Sequence, residues 1–352
     1  MSELEKRQTV VVVGGGGAGA QIVHSLSGKL DRAKYELILV TVRPFYVHLP
    51  ACIRMTVTDK GKLEDRALIP YDHSFVKGNG KLVVGTVVSI QSDGDKGGSV
   101  ILANGNKINY SVLVLTPGSK WEGPVALPDT KEECLQWIRD WRQKFENANN
   151  TTVVGGGAAG IKFAEEITDQ WPRYGPFEIH HSKEVTLIHA EELLLNHVYS
   201  RGWRKGLARR LRKRGVNVLL NEQVEDLTPQ NGSVTTKNGK TVPTDLVVSV
   251  RHTFHSTLVI GCFTNIPCRG GRPNTEFVAS LGPGALVESN RVKVTPTLQL
   301  FHYPHVLASG GVIDWYEQKQ VAKYGTQRLH DHQKRDCPLG EKISTSDLYW
   351  KV

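Results

Sequence analysis

The chain has 352 residues, enough for two domains or slightly more, and its 39% hydrophobic and 22% charged residues are typical of a soluble globular protein. No apolar run approaches the ~20 residues that a membrane-spanning helix needs, and the polar start MSELEKRQ does not resemble a secretory signal. Ser2 stands where N-myristoylation requires glycine, which excludes that modification.

Charge and cysteine content also limit the class of protein. The formal net charge of +9 favours anionic partners such as nucleotides, nucleic acid or acidic membrane surfaces, although solubility alone also explains it. The five cysteines are scattered and contain no C-x-x-C pair, so a redox-active dithiol motif is absent from the sequence. We therefore expect a reducing compartment, the cytoplasm.

A strand followed by a glycine-rich turn and a helix opens the chain. Residues 9–13 are β-branched, as in a buried parallel strand, and the next residues read G-x-G-x-x-G before a stretch that can form a helix. This order is the context in which the motif binds a dinucleotide, with the diphosphate at the helix N-terminus. The predicted contacts are Gly14, Gly15, Gly16, Gly17, Ala18 and Gly19.

The second strand, 35–44, lacks the acidic residue that usually binds the adenosine ribose, and Arg43 is its candidate for contact with adenine or phosphate. Further on, Arg54 is the cation that we place against the diphosphate, with an ordinary surface arginine as the alternative. The backbone at Val83 is a candidate to bind an adenine edge.

A small antiparallel unit over 81–110 and a return strand come next, and the return strand ends at Thr116 and Gly118. Gly118 permits close approach of the backbone to a cofactor, so we predict that both residues contact it. In the following helix Trp137, Trp141 and Phe145 share one face, which predicts core packing.

The strand–turn–helix pattern occurs a second time, with Gly155, Gly157 and Gly160 between TTVV and IKFAEEITDQW. Two copies in one chain predict two dinucleotide sites. The second strand of this half, 183–190, again ends without an acid, and Glu191 and Glu192 are its candidates for a ribose hydroxyl. This pattern leaves NADH and NADPH undistinguished.

Two later segments have competing interpretations. The basic stretch 201–214 forms a helix with Trp203, Leu207 and Leu211 on one face, and we favour a solvated cationic face over nucleic-acid or lipid binding. The stretch 251–268 holds two histidines and two cysteines, but their spacing fits no common zinc site, so we predict no metal. A loop insertion or a translated intron explains this stretch. Its four candidate ligands are His252, His255, Cys262 and Cys268.

A late strand, VLAS, delivers Gly310 and Gly311, which we expect to return to the first domain and contact its cofactor. The predicted fold is α/β, with two Rossmann-like dinucleotide-binding domains. The first domain comprises 8–123 plus 291–325, the second comprises 124–290 with the atypical insert 251–268, and 326–352 form a short irregular tail.

In combination and order, several stretches resemble the flavoprotein oxidoreductases of pyridine nucleotides, specifically the apoptosis-inducing-factor-like, ferroptosis-suppressor type in a fungal form. The stretches that carry the resemblance are VVVVGGGGAGA, RPFYVHLPACIRMTV, KLVVGTVVSI, LVLTPGS, TTVVGGGAAGIKFAEEI, EVTLIHA, LRKRGVNVLLNEQVEDL, RPNTEFV and VLASGGVIDW. They cover about residues 8–250 and 270–325.

The resemblance implies FAD on the first fingerprint and NAD(P)H on the second, with hydride transfer to flavin and reduction of a quinone or similar small acceptor. It assigns Arg54 as an FAD-contacting arginine and Val83 as the adenine-contacting strand residue. It also implies a cytoplasmic protein that can associate with a membrane surface, peripheral to mitochondria or lipid droplets. Nucleic acid is not expected as a partner, and the oligomeric state is left open.

The chain departs from the family pattern at several positions. Gly311 stands where the family has the aspartate that binds the ribityl chain, and Pro117 removes a backbone donor from the return strand. Lys162 replaces the glutamate that lies near nicotinamide and flavin, which leaves the catalytic residue unassigned. The family's C-terminal domain is expected to be mostly missing after Tyr324. The alternative function is therefore a catalytically impaired, nucleotide-binding relative that acts as an interaction protein.

Overall fold

The computed structural model describes residues 7–172, 183–249 and 271–315, which divide into two compact units. The first combines the chain up to His48 with Leu68–Lys120 and the chain from Pro273, and the second combines Leu49–Ala67 with Trp121–Arg272. Two predicted segments, the insert 251–268 with its four candidate metal ligands and the tail 326–352, lie outside the described residues. Compared with the predicted domain ranges, 49–67 group with the second unit and 273–290 with the first.

Both units contain α-helices and β-strands. The α-helices are α1 (Gly17–Lys29), α2 (Leu49–Val57), α3 (Glu64–Ala67), α4 (Lys131–Asn147), α5 (Ala158–Gln170) and α6 (Arg201–Lys213). The strands are β1 (Gln8–Val13), β2 (Tyr35–Thr41), β3 (Phe45–Val47), β4 (Leu68–Pro70), β5 (Lys81–Val84), β6 (Val87–Ser92), β7 (Gly98–Leu102), β8 (Lys107–Tyr110), β9 (Val112–Leu115), β10 (Ser119–Lys120), β11 (Asn150–Val154), β12 (Glu184–His189), β13 (Val216–Leu220), β14 (Ser233–Thr235), β15 (Thr241–Pro243), β16 (Leu246–Ser249), β17 (Arg272–Pro273), β18 (Gln299–Leu300) and β19 (Tyr303–Ala308). Short 3₁₀ helices lie at Tyr71–His73, Val76–Gly78, Gly94–Lys96, Gly123–Val125, Glu276–Leu281 and Gly310–Val312.

The first unit is built on a six-stranded sheet in the order β18-β19-β9-β1-β2-β5. Strands β19, β9, β1, β2 and β5 are parallel, and β18 pairs antiparallel with β19. The valines of β1 are buried, because a central parallel strand is covered on both faces. Parallel pairing brings the carboxyl ends of β1, β9 and β19 to the same edge of the sheet, where the first glycine turn lies.

The predicted antiparallel unit is confirmed only for β6, β7 and β8, which form a three-stranded antiparallel sheet. The KLVV segment was wrongly included in it, because β5 instead pairs in parallel with β2, with Val83 opposite Val40. The local alternation of residues does not show which neighbour a short strand takes, since the two partners lie about forty residues apart in sequence.

The second unit contains a four-stranded parallel sheet in the order β13-β12-β11-β16 and a separate hairpin of β14 and β15.

On α4 the predicted aromatic stripe is confirmed as packing: the Trp137 and Trp141 rings lie 6.1 Å apart and the Trp141 and Phe145 rings 5.8 Å apart. On α6, Leu207 and Leu211 are buried as predicted.

Trp203 does not share the buried face of α6, which corrects the predicted apolar face. Its side chain is 44% exposed, and its ring stacks on Tyr199 with 5.0 Å between centroids. A mostly parallel six-stranded sheet and a parallel four-stranded sheet, each with a glycine turn leading into a helix, confirm the predicted α/β fold with Rossmann-like units. Within the part of the chain that the structure describes, no helix has the length and apolarity needed to cross a membrane.

Candidate dinucleotide-binding sites

The first glycine turn, between β1 and α1, is closely packed, and at Gly14 and Gly19 a side chain would overlap a backbone carbonyl oxygen. Gly14 has a φ of 103°, and a Cβ there would overlap the Thr116 carbonyl oxygen. A Cβ on Gly19 would overlap the Gly14 carbonyl oxygen. These two glycines therefore maintain the approach of β1, α1 and the end of β9.

Gly16 differs, because a Cβ there would meet no protein atom within 4 Å. It caps α1 without a side-chain hydrogen bond, and the first turn, which includes Gly17 and Ala18, holds no acidic residue. The open space therefore faces unsatisfied backbone N–H groups and the positive end of the helix dipole. This arrangement fits a diphosphate, so the residues present suit the predicted FAD.

Tyr71 supports the same turn and was missed by sequence analysis. Its buried hydroxyl donates a hydrogen bond to the Gly15 carbonyl. Burial raises the pKa of Tyr71, while a hydrogen bond with Thr41 and the charge of Arg43 act in the opposite direction. The predicted contact of Arg43 with adenine or phosphate stays a prediction. No local pattern identifies Tyr71, since 56 residues separate it from Gly15.

The ends of β9 and β19 also reach this turn. The Thr116 hydroxyl donates to the carbonyls of Val13 and Gly14 at 3.0 and 2.8 Å, so it holds the turn in place. Gly118 has a φ of 70° and open space at its Cβ position. A Cβ on Gly310 would lie 3.1 Å from Ala18 Cβ, which places the late glycine beside the first turn of α1.

Three further predicted contacts of the first site, at Gly311, Val83 and Arg54, stay predictions. The Gly311 carbonyl accepts a hydrogen bond from Arg291 Nη1 at 3.4 Å. Val83 is half-buried in β5, at the edge of the sheet, and its contact with adenine stays a prediction. Arg54 belongs to the second unit, on α2.

The second glycine turn repeats the arrangement of the first. Gly155 has a φ of 120° and donates its N–H to the Ile188 carbonyl at 2.9 Å. Gly157 caps α5 without a side-chain hydrogen bond, the first turn again has no acid, and Gly160 is buried. The backbone donors at the start of α5 therefore suit the diphosphate of NAD(P)H.

His189, at the end of β12, braces this second turn. Its Nδ1 accepts a hydrogen bond from the Gly156 N–H at 3.1 Å, and its Nε2 lies 3.1 Å from the Leu193 carbonyl. Accepting at Nδ1 leaves Nε2 as the donor, so the geometry selects the neutral Nε2–H tautomer. Sequence analysis noted His189 only as a strand end without an acid.

The two glutamates after β12 are engaged with arginines. Glu191 lies 3.6 Å from Arg204, whose guanidinium also donates to the carbonyls of the loop residues 193–195. Glu192 lies 2.6 Å from Arg201. Their predicted role toward a ribose hydroxyl therefore competes with these ion pairs and stays a prediction.

Lys162 lies on α5 among acidic neighbours. Its Nζ is 2.7 Å from Glu166 Oε1 and 4.0 Å from Glu165 Oε2. The other oxygen of Glu166 faces Arg54, with 3.9 Å between Oε2 and Nε. Sequence analysis missed Glu166, although the i,i+4 spacing from Lys162 on a helix was a sufficient signal.

Metal binding has no support among residues 7–172, 183–249 and 271–315, where no group of three potential ligand side chains comes together. The two glycine turns form backbone cradles that suit dinucleotides, supported by Thr116 and Tyr71 in one unit and by His189 in the other.

Comparisons with known proteins agree with this geometry. The family model described as pyridine nucleotide-disulphide oxidoreductase matches residues 8–325. The chain is 39% identical over 269 residues to the FAD-dependent oxidoreductase FVFD30 of Flammulina velutipes, covering 76% of this chain and 75% of the relative. It is 28% identical over 324 residues to ferroptosis suppressor protein 1 of Taeniopygia guttata, covering 90% and 77%.

Among solved structures, a ferredoxin reductase from Rhodopseudomonas palustris superposes with a TM-score of 0.68 at 18% identity, covering 97% of this chain and 76% of that one. This likeness supports the fold. Together with the sequence relatives, the family model confirms the predicted resemblance and the predicted cofactors, FAD and NAD(P)H. The chain therefore belongs to the pyridine nucleotide-disulphide oxidoreductase family, as an FAD-dependent, apoptosis-inducing-factor-like member.

Proposed function

We propose that this protein takes a hydride from NAD(P)H onto bound FAD and passes the two electrons to a quinone or a similar small acceptor. The observation that carries the proposal is the pair of glycine turns, each ending at a helix N-terminus that no acidic residue occupies. One turn offers open space at Gly16, and the family binds two different dinucleotides. The acceptor class rests on the resemblance to the ferroptosis-suppressor type.

The residues of the first unit bind and orient the flavin nucleotide. Backbone N–H groups at Gly16 and the start of α1 would hold the diphosphate, while Thr116 and Tyr71 hold the turn that presents them. When bound, FAD supplies the hydride acceptor and the electron carrier, so the chain needs no nucleophile of its own.

The residues of the second unit bind the reductant. The turn from Gly155 to Gly157 presents the N-terminus of α5, and His189 fixes the Gly156 amide. Its other ring nitrogen reaches the Leu193 carbonyl, which ties the following loop to the same turn. This support keeps the phosphate-binding backbone in one conformation.

An anaerobic absorbance titration tests the proposal. The purified protein is expected to show flavin bands, or to gain them with added FAD, and NADH or NADPH is expected to bleach them. Adding a soluble quinone should restore the bands and yield one hydroquinone for each nicotinamide nucleotide oxidised. Bleaching without reoxidation by quinone would reject the acceptor class. Protein that takes up no FAD would reject the enzyme and favour the impaired, nucleotide-binding alternative.

A further inference from the structure

Helix α6 carries a strongly basic surface that the proposed reaction does not use. Between Leu193 and Asn221 the chain has eight lysines and arginines and no aspartate or glutamate. Leu207 and Leu211 are buried and fix one face of the helix inside the second unit. The opposite face therefore presents its cations to solvent, with no acidic side chain on the helix to compensate them.

Half of these eight cations are engaged within the protein, since they donate to acidic side chains or to backbone carbonyls. In the part of the chain that the structure describes, the other four side chains are exposed and have no ion pair or hydrogen bond. These four are Lys205, Arg209, Arg210 and Lys213. Lys205, Arg209 and Lys213 follow one another at intervals of four residues, so they form one row along α6, the cationic row.

An exposed aromatic side chain accompanies the unpaired cations. Trp203 is 44% exposed, and its ring stacks on Tyr199 with 5.0 Å between the centroids. Val198, the residue before Tyr199, is 60% exposed. Arg210 follows Trp203 by seven residues, or two helical turns, so an unpaired cation and the indole ring lie on the same side of the helix.

The surface between Trp203 and the cationic row is open. Gly202 and Gly206 lie there by their helical positions, and a Cβ at either would meet no atom of the described residues within 4 Å. A broad, flat partner can therefore approach the backbone of α6 between the aromatic ring and the cations.

This combination fits the surface of an anionic lipid bilayer. Acidic headgroups attract lysine and arginine, while tryptophan and aliphatic side chains are stable between the headgroups and the acyl chains. We propose that α6 is a docking surface for an anionic membrane, with the cationic row at the headgroups and Trp203 and Val198 at the interface. Sequence analysis favoured a solvated face, with Trp203 on the apolar side, and the exposure of Trp203 is the observation that favours a partner.

The apolar side chains distinguish a membrane from a nucleic acid, whose phosphates would attract the same cations. The aliphatic side chain of Val198 has no counterpart in a sugar–phosphate backbone but gains from contact with lipid. One face of the Trp203 ring is already covered by Tyr199, so this ring cannot insert between two bases. The observations therefore favour lipid.

Cosedimentation of the full-length protein with vesicles tests the proposal. The vesicles are phosphatidylcholine alone or an equimolar mixture with phosphatidylserine, and the wild type should bind the mixture far better and less strongly as salt rises. Arg209→Gln combined with Lys213→Gln should weaken this binding about thirtyfold, because each cation near an anionic surface contributes about fivefold. Lys34→Gln combined with Lys107→Gln is the matched control, since it removes two exposed lysines of the first unit, and it should change binding less than about twofold.

Substitution of Trp203 tests the apolar part of the contact. Trp203→Ala should weaken vesicle binding severalfold, and Trp203→Phe, which keeps a ring, should lose less. Brominated phosphatidylcholine in the vesicles should quench the tryptophan emission of the wild type and clearly less that of Trp203→Phe. Exposed positions are chosen throughout, so the circular dichroism melts of all variants should match the wild type.

The outcomes separate the possible partners. Wild-type protein that does not bind the anionic vesicles, or an equal loss in the two double variants, would overturn the docking surface. Unchanged binding in Trp203→Ala without quenching by brominated lipid would overturn the role of Trp203 at the interface. Retention by duplex DNA but not by anionic vesicles would replace the membrane with a nucleic acid. These assays contain no nicotinamide nucleotide or quinone, so failure of the proposed reaction would leave the docking surface intact.

Discussion

The Thr116 hydroxyl lies 2.8 Å from the Gly14 carbonyl oxygen, across 102 residues of sequence, and donates a hydrogen bond to it. The same hydroxyl reaches the Val13 carbonyl at 3.0 Å. The end of the return strand β9 is thus attached to the glycine turn after β1 by a side chain as well as by the sheet. A ligand on this turn therefore contacts backbone whose conformation depends on Thr116.

Thr116→Val tests that attachment, because valine keeps the shape of threonine and removes only the hydroxyl. We expect a loss of about 1–3 kcal/mol in the free energy of unfolding, since the Gly14 carbonyl loses this donor while the Val13 carbonyl keeps only its bond from the Thr116 N–H. FAD affinity should fall as well, measured by flavin release during dialysis. Thr116→Ser, which retains the hydroxyl, is the control and should keep more of both properties. Equal stability of the valine variant and the wild type would contradict the role of Thr116.

Two glycines of the same turn should respond differently to alanine. Gly16→Ala places a methyl group in open space, so the fold should tolerate it while the diphosphate loses room, and flavin content should drop without a large change in melting temperature. Gly19→Ala places a methyl group on the Gly14 carbonyl, so the melting temperature itself should fall. Circular dichroism melts and flavin absorbance distinguish the two. A Gly16→Ala variant that retains full flavin would exclude this turn as the diphosphate site.

Substitution of His189 should weaken binding of the nicotinamide nucleotide and leave the flavin content unchanged. His189→Leu removes the acceptor for the Gly156 N–H and the donor to Leu193, so NADP⁺ or NAD⁺ affinity is expected to fall about tenfold. His189→Asn retains an acceptor near the Nδ1 position and should lose less. Calorimetric titration measures both variants, with flavin absorbance as the internal control. Equal affinity of the leucine variant and the wild type would show that the hydrogen bonds of His189 are not needed for nucleotide binding.

The sequence predicts the parts of this fold that depend on local pattern. Strand β1, its glycine turn and α1 follow from a β-branched run, three spaced glycines and a helix-forming stretch, and the second turn at Gly155 follows in the same way. Thr116 and Gly310, which were predicted as cofactor contacts, lie beside the first turn, because parallel strands bring their carboxyl ends together. Their contact with the cofactor stays a prediction.

The residues that sequence reasoning missed depend on long-range contacts. Tyr71 reaches Gly15 from a short 3₁₀ helix, and nothing in its neighbourhood of the sequence indicates that partner. Strand β5 joined the main sheet instead of the antiparallel unit, because its partner β2 is distant in the chain. Glu166 is the exception, since its spacing from Lys162 on a predicted helix already indicated an ion pair.

Asp245 connects the starts of two strands in the second unit and gives a pH-dependent prediction. Its Oδ2 accepts hydrogen bonds from the backbone N–H groups of Asn149 and Asn150, at 2.9 and 2.8 Å, just where β11 begins. The hydrogen bond from Asn150 lowers the pKa of Asp245 below its usual 3.8; partial burial opposes this, and Asn149 reinforces it. The ionised carboxylate is therefore the form that stabilises the fold.

Because the pKa of Asp245 is lower in the folded state, the unfolded chain binds a proton more readily at pH values between the folded and the unfolded pKa. The stabilisation by the Asp245 carboxylate is thus complete above pH 3.8, the pKa of this group in the unfolded chain. It disappears as the pH falls through the lower pKa of the folded state. Asp245→Asn should be less stable than the wild type at neutral pH, and the difference should close in acid. Asp72→Asn, an exposed aspartate in the first unit, is the control and should track the wild type. Urea denaturation across this pH range measures both, and a difference for Asp245→Asn that persists unchanged below the folded pKa would contradict the assignment.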